Sequence, residues 1–342
     1  MTNEQWAKLL AIVNGERVAP LAVGFVIDSP WLPGWAGIST LDYYASESRW
    51  LESNLRAVRE FPEAMMLPGF WAEYGMCTEP AAFGSRCSWE EHELPYAHPV
   101  LTSTDQIAGL VRPNPRRDGL GPFVLARLGH CREAIEEAGH KIRFAVARGP
   151  LNIASFLMGS TEFLITLKTE PDRAHALLRR ITDYLVEWLR VQKEAFDTIE
   201  GIFLLDDIVG FCGEKDFKEF ALGYLKEGFA AFDAKVRFFH NDAAGKITAK
   251  HLTEIGVNLF NFSFEHSLSE MQEWTGGQVT LLGNIPPRDV MAAGTPDQVR
   301  EAVAGALAGV AERRRLVLSC GGGMCGGVSS ENIRAFIETA RA

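Results

Sequence analysis

Eight short apolar runs punctuate the chain, near residues 20–27, 64–69, 142–147, 201–206, 236–240, 257–262, 279–283 and 315–319. They are rich in Val, Ile, Leu and Phe and carry no strict polar alternation, the pattern of strands buried on both faces. Between them, apolar residues recur at three- and four-residue spacing. That spacing predicts helices over 40–60, a pair spanning 153–198 broken near Pro171, and then 215–234, 246–255, 296–311 and 329–342. Strand followed by helix, repeated, implies parallel strands joined by right-handed crossovers. A closed (β/α)8 TIM barrel and an open doubly wound sheet both satisfy that order. The count of eight favours the α/β barrel, as does the lack of a GxGxxG turn after the first strand. The stretch 72–117 breaks the alternation, being long and rich in Pro, Gly and aromatic residues. It reads as a loop insertion over the mouth of a single barrel domain spanning 1–342.

Composition narrows the function. With 47% hydrophobic and 23% charged residues in 342 the chain is of ordinary globular make-up, and no apolar stretch is long enough for a membrane span. The segment Met1–Lys8 has neither the basic nor the apolar region of a secretory leader, so the cytoplasm is expected. A net charge of -10, with no basic run longer than Arg313-Arg314-Arg315, argues against a nucleic-acid surface. The six cysteines include no CxxC pair and are expected to be free thiols or metal ligands.

In a barrel, chemistry gathers at the C-terminal strand ends. Arg148 follows the third predicted strand, Asp206-Asp207 the fourth, His240 and Asp242 the fifth, Glu265-His266 the sixth, Gly283-Asn284 the seventh and Cys320 the eighth. His240 and Asp242, two apart on an extended segment, project to the same side. Together with Cys320 they could share one divalent ion, although a lone histidine there also reads as a structural hydrogen-bonding residue. Adjacent residues face opposite ways, so one of the Asp pair enters the mouth; Asp207 is preferred, as ligand or acid–base group. Arg148 reads as a clamp for a substrate carboxylate or as a structural ion-pair partner. Cys325 competes with Cys320, and the glycines from 321 to 327 allow a tight turn or a phosphate cradle. Glu79, Cys77 and Glu162 are further donors. Phe70, Trp71, Tyr74, Phe83 and Trp89 could wall a planar cofactor or simply pack the core.

Several segments together resemble the uroporphyrinogen decarboxylase superfamily. These are Phe239-His-Asn-Asp242, Glu254-Ile-Gly256, Val279-Thr-Leu-Leu-Gly-Asn-Ile-Pro-Pro287, and Ser319-Cys-Gly-Gly322 leading into Ser330-Glu-Asn-Ile333. Upstream, Glu79-Pro-Ala-Ala-Phe-Gly84, Gly149-Pro-Leu-Asn-Ile-Ala-Ser155 and Leu205-Asp-Asp-Ile-Val-Gly210 extend the likeness over nearly the whole chain. One branch of that superfamily removes porphyrinogen carboxylates without metal; another moves methyl groups between corrinoids and thiols or folates using zinc. The decarboxylase branch carries an Arg-Gln-Ala-Gly-Arg segment after the first strand, where this chain has Pro20–Asp28 with no arginine, and an aspartate where this chain reads Glu73-Tyr-Gly-Met-Cys77. The methyltransferase branch places His-x-Cys after the fifth strand and a second Cys after the eighth. His240 and Cys320 match two of those positions, and Asp242 replaces the first Cys.

The resemblance therefore implies Zn2+ on His240, Asp242 and Cys320, and methylcobalamin or another methylated corrinoid on a partner corrinoid protein. It implies a small-molecule acceptor, a thiol or tetrahydrofolate, with Asp207 or Glu265 as the acid a folate would need. Gly283, Asn284 and Glu79 are expected beside the cofactor. An aspartate oxygen is harder than a thiolate, which should leave zinc more electrophilic or favour another divalent metal. Two alternatives stay open: a decarboxylase or lyase using Arg148 as its clamp, and a non-catalytic corrinoid- or tetrapyrrole-binding protein.

Overall fold

The computed structural model describes all 342 residues. Eight strands form one parallel sheet: β1 (Ala22–Val26), β2 (Ala64–Leu67), β3 (Phe144–Arg148), β4 (Gly201–Leu205), β5 (Val236–Asn241), β6 (Leu259–Phe262), β7 (Thr280–Ile285) and β8 (Leu316–Cys320). All eight expected strands are present, within one or two residues of their expected bounds. Their order around the sheet is β2-β1-β8-β7-β6-β5-β4-β3, which curls the sheet into a TIM-type barrel with β2 and β3 as its two unladdered edges.

Period-two alternation sorts each strand into two faces. Val26, Leu67, Val146, Phe203, Phe238, Leu259, Leu282 and Val317 meet inside the barrel. Their neighbours Phe25, Met66, Ala147, Leu204, Phe239, Phe260, Leu281 and Leu318 pack outward against the helices. Each fully buried Phe or Leu contributes about 1.5–3 kcal/mol, so the double layer holds the strand ends in fixed register. Inside, the rings of Phe203 and Phe238 stack at 4.1 Å and floor the mouth. The helix Asn3–Val13, begun by a capping box at Thr2, closes the opposite end by adding Trp6, Leu9, Ile12 and Val13 to the inner core.

The helices depart from expectation where local breakers act. The predicted 40–60 helix splits into Thr40–Ala45 and Glu47–Glu60 because Ser46 leaves helical geometry to cap the second. Three helices, Pro150–Met158, Ser160–Thr169 and Pro171–Ala195, replace the predicted pair, divided at Gly159, whose φ is +91°, and before Pro171. The helices Gly121–Glu137 and Leu268–Trp274 had no counterpart in the apolar pattern. The 72–117 segment contains a short helix, Thr78–Ala82, a two-residue-per-strand hairpin, Cys87–Ser88 with Tyr96–Ala97, and a 3-10 turn, Thr104–Gly109.

Candidate metal centre

Register fixes the heart of the mouth. Leu205, His240 and Asn261 are successive ladder partners on β4, β5 and β6, so His240 and Asn261 share the inward face. Asn261 Nδ2 donates to the carbonyls of Leu282 (2.8 Å) and Cys320 (3.2 Å). Its Oδ1 must therefore be the atom 2.7 Å from His240 Nδ1, and an amide oxygen only accepts. His240 thus donates from Nδ1 and turns Nε2 into the mouth. Nε2 faces two carboxylates, with Asp207 Oδ1 at 3.7 Å and Asp242 Oδ2 at 4.0 Å. The ligand atoms of Asp207, His240 and Asp242 all lie within 4.8 Å of one another.

The rest of the structure holds this triad in place. Asp206 points away from the mouth and accepts the N–H groups of Leu151 and Asn152 at the start of the Pro150–Met158 helix. Asn152 in turn accepts the Asp207 N–H, and Asp207 Oδ1 accepts the Asp242 N–H at 3.0 Å. Enclosure in the mouth and the neighbouring charge of Asp207 both push the Asp242 carboxyl above its usual range. Two carboxylates and an imidazole nitrogen form a hard N/O donor set with one open side, a fit for a divalent cation. The loop after β8 passes close by: a Cβ on Gly322, whose φ is +85°, would stand 3.1 Å from the Asp242 Cβ.

Cys320 is not in this cluster, a correction to its expected role as a ligand. On β8 the inward position belongs to Ser319, and alternation turns Cys320 into the outer core beside Leu318, fully buried. Burial also pushes its thiol up. Asp207 stands as the third donor instead. Cys325 sits near Cys320 and donates to the Pro287 carbonyl.

A second constellation lies on the β1–β3 side. Arg148 Nη2 reaches both Glu73 oxygens at 3.1 and 3.0 Å, and its backbone N–H donates to Glu79 Oε1. Burial raises the carboxyls of Glu73, Glu79 and Asp28, opposed by the pull of Arg148. Glu79 Oε2 is buried without a partner, as suits a protonated carboxyl in this setting. Arg148 is consequently the ion-pair partner of Glu73 rather than a free clamp, and Glu79 supports that pair.

Five other expected residues lie outside the cluster. Glu265 is exposed, in a rim groove with Leu268 and Ala302. Asn284 donates from its side-chain amide to the His266 carbonyl, fastening the loop after β6. Gly283 packs closely, since a Cβ there would sit 3.0 Å from the Phe262 ring. Cys77 is buried against Cys87, and Glu162 lies in the first turn of an outer helix. Asp28, Glu73 and Asn261 escaped sequence patterning. Asp28 closes the first apolar run much as His240 closes the fifth, and Asn261 is a lone amide inside Leu259-Phe-Asn-Phe262. Glu73 carried no signal.

A sequence model of uroporphyrinogen decarboxylase matches residues 34–342. The chain belongs to that family. Curated relatives include the uroporphyrinogen decarboxylases of Psychromonas ingrahamii, 23% identical over 274 residues covering 76% of this chain and 75% of that one, and of Chloroherpeton thalassium, 25% identical over 271 residues covering 76% and 74%. Among solved structures, a methyltransferase from Methanosarcina mazei superposes with a TM-score of 0.81 at 19% identity, covering 97% of both chains. That likeness carries the fold. No helix of the chain is long and apolar enough to cross a membrane.

Proposed function

We propose that this family member is a metal-dependent methyltransferase that moves a methyl group from a corrinoid, presented by a partner protein, to a small thiol. The observation that carries this reading is His240 Nε2, turned into the mouth by the Nδ1–Asn261 hydrogen bond and facing the Asp207 and Asp242 carboxylates. Such a donor set suits zinc or another divalent ion, and the Methanosarcina methyltransferase makes the reaction class a natural one for this barrel. A divalent ion supplies Lewis acidity there, lowering the proton affinity of an acceptor thiol.

The chain's own residues do the rest. Asn261 holds the imidazole in one tautomer and orientation, and the stacked Phe203 and Phe238 rings keep water out from below. Asp207 fixes the Asp242 backbone, so both carboxylates face one point. A methylated corrinoid, as donor substrate, would supply the methyl group to the thiol sulfur, and the thiol proton would leave to solvent through the open side. We read the chain as one barrel unit in which the 72–117 segment covers part of the mouth and supplies Glu73 and Glu79. A folate acceptor would need an acid at the reacting nitrogen, and Glu265 lies out on the rim.

Decarboxylation, the activity in the curated relatives' name, is disfavoured by the charges. Asp28, Glu73, Asp207 and Asp242 surround the mouth, and Arg148 is engaged by Glu73. No free cation remains among these residues to receive a substrate carboxylate. The test is metal analysis of the purified protein, together with loss of methylcobalamin absorbance on adding a thiol. One bound divalent ion per chain is expected, with turnover abolished by chelation and by His240→Ala. Metal-free protein that still transfers methyl groups, or carbon dioxide release from a porphyrinogen, would overturn the proposal.

A further inference from the structure

Apart from the metal centre, a cavity of about 330 Å3 opens between the helix Thr40–Ala45, the 72–117 segment and the helix Gly121–Glu137. Leu41, Tyr44, Tyr74, Trp89 and Phe123 line it, with Arg127. Three of the rings form a cage: Tyr44 and Tyr74 are stacked at 6.1 Å, and Trp89 meets them edge-on at 5.7 and 6.2 Å. Trp89 and Phe123 remain 38% and 58% exposed, so these faces are accessible in the folded chain.

Arg127 makes the cavity unusual. It is only 5% exposed, yet no carboxylate comes within 4.0 Å of its guanidinium, whereas Arg143, just before β3, and Arg148, at its end, are paired with Glu200 and Glu73. Its Nη2 donates to the Tyr44 carbonyl, its guanidinium carbon lies 4.8 Å from the Tyr74 ring centre, and its Nη1 is buried with no partner at all. A buried guanidinium without a counter-ion is costly, and Arg127 stands in the wall of an open cavity that can admit one. An aromatic cage alone would suit a quaternary ammonium, but the positive charge of Arg127 repels one. We infer that this cavity is a binding site for a small aromatic carboxylate, its ring held among Tyr44, Tyr74, Trp89 and Phe123 and its carboxylate paired with Arg127.

The site shares no residue with the Asp207–His240–Asp242 cluster, so it stands or falls separately from the proposed reaction. Calorimetric titration of the full chain with benzoate, and with benzamide as the uncharged isostere, tests it. Saturable one-to-one benzoate binding is expected, with benzamide at least about tenfold weaker, because Arg127 adds a charge-assisted pair only to the former. Arg127→Met should weaken benzoate at least about tenfold and erase the preference over benzamide. Phe123→Ala alters a largely exposed ring, leaves the buried charge in place, and should weaken both ligands alike. Metal-stripped protein should bind benzoate as well as the untreated protein does. Absence of saturable binding, equal affinity for benzamide, or binding lost in His240→Ala but kept in Arg127→Met would overturn the inference. If Arg127→Met does not fold, the benzoate-to-benzamide ratio of the unaltered protein and the Phe123→Ala result decide.

Discussion

Across one barrel mouth the chain handles charge in two ways. Arg148 and Glu73 have side chains 12% and 8% exposed and lie 3.0 Å apart, with Glu79 closing the set. Asp207 and Asp242 are 36% and 52% exposed, repel one another, and face an imidazole whose Nδ1 proton is already given to Asn261. The first group pairs its one cation internally, with the Arg148 guanidinium on the Glu73 carboxylate. The second is preorganised and incomplete. A folded chain holds two carboxylates around one point at a cost, and a bound cation turns that cost into affinity. The closed side should therefore report on stability and the open side on ligand.

The largest effect expected from breaking this contrast is Arg148→Met. Removing one partner of a buried pair strands the other, and such losses cost about 3–5 kcal/mol. Urea unfolding should show that loss while metal content of the remaining folded protein is unchanged. A drop below about 1 kcal/mol would mean that the pair is not internally balanced.

The opposite side should behave in reverse. Asp242→Asn removes one of two facing carboxylates, so the metal-free protein should be no less stable and should gain up to about 1 kcal/mol, the modest scale proper to half-exposed charges. Metal affinity should fall by at least about 100-fold, beyond the 10–100-fold that loss of a supporting outer group costs. Competition with a chromogenic chelator measures the second quantity and urea unfolding the first. Destabilisation of the metal-free variant would show Asp242 to be structural.

How much of this was legible beforehand follows from the range of each signal. The eight strands were readable because burial on both faces leaves a continuous apolar run, a local property. The barrel followed from their count and alternation with helices. His240, Asp242 and Asp207 were readable because chemistry collects at strand ends in this fold. Cys320 misled, since it also sits at a strand end; which face it takes depends on register with β7, where Ser319 and Asn284 are partners, and register is a long-range outcome. Asn261 passed unnoticed because one amide hardly disturbs an apolar run. Glu73 joins the mouth only through the path of the 72–117 segment, which no periodicity describes.

The smallest expected effect concerns protons on the closed side. Glu79 is 2% exposed, one oxygen has no partner, and burial raises its carboxyl above the ordinary value of 4.5. The folded state therefore holds a proton there that the unfolded chain has released. Glu79's contribution to stability is complete below about pH 4.5 and declines as pH rises through the folded value, by at most about 1.4 kcal/mol per pH unit for one proton. Glu79→Gln imitates the protonated carboxyl at every pH. The stability difference, variant minus unaltered protein, should climb from its acid value once pH exceeds 4.5 and level off when the folded carboxyl is fully ionised. Paired urea unfolding curves from pH 4 to 8 measure it, and subtraction cancels carboxylates common to both proteins, such as Glu200, which Lys235 holds low. A difference constant across that range would mean that Arg148 keeps Glu79 ionised throughout. The closed side would then be balanced by two carboxylates on one arginine, with less capacity to tolerate loss of Arg148 than a pair plus a neutral acid.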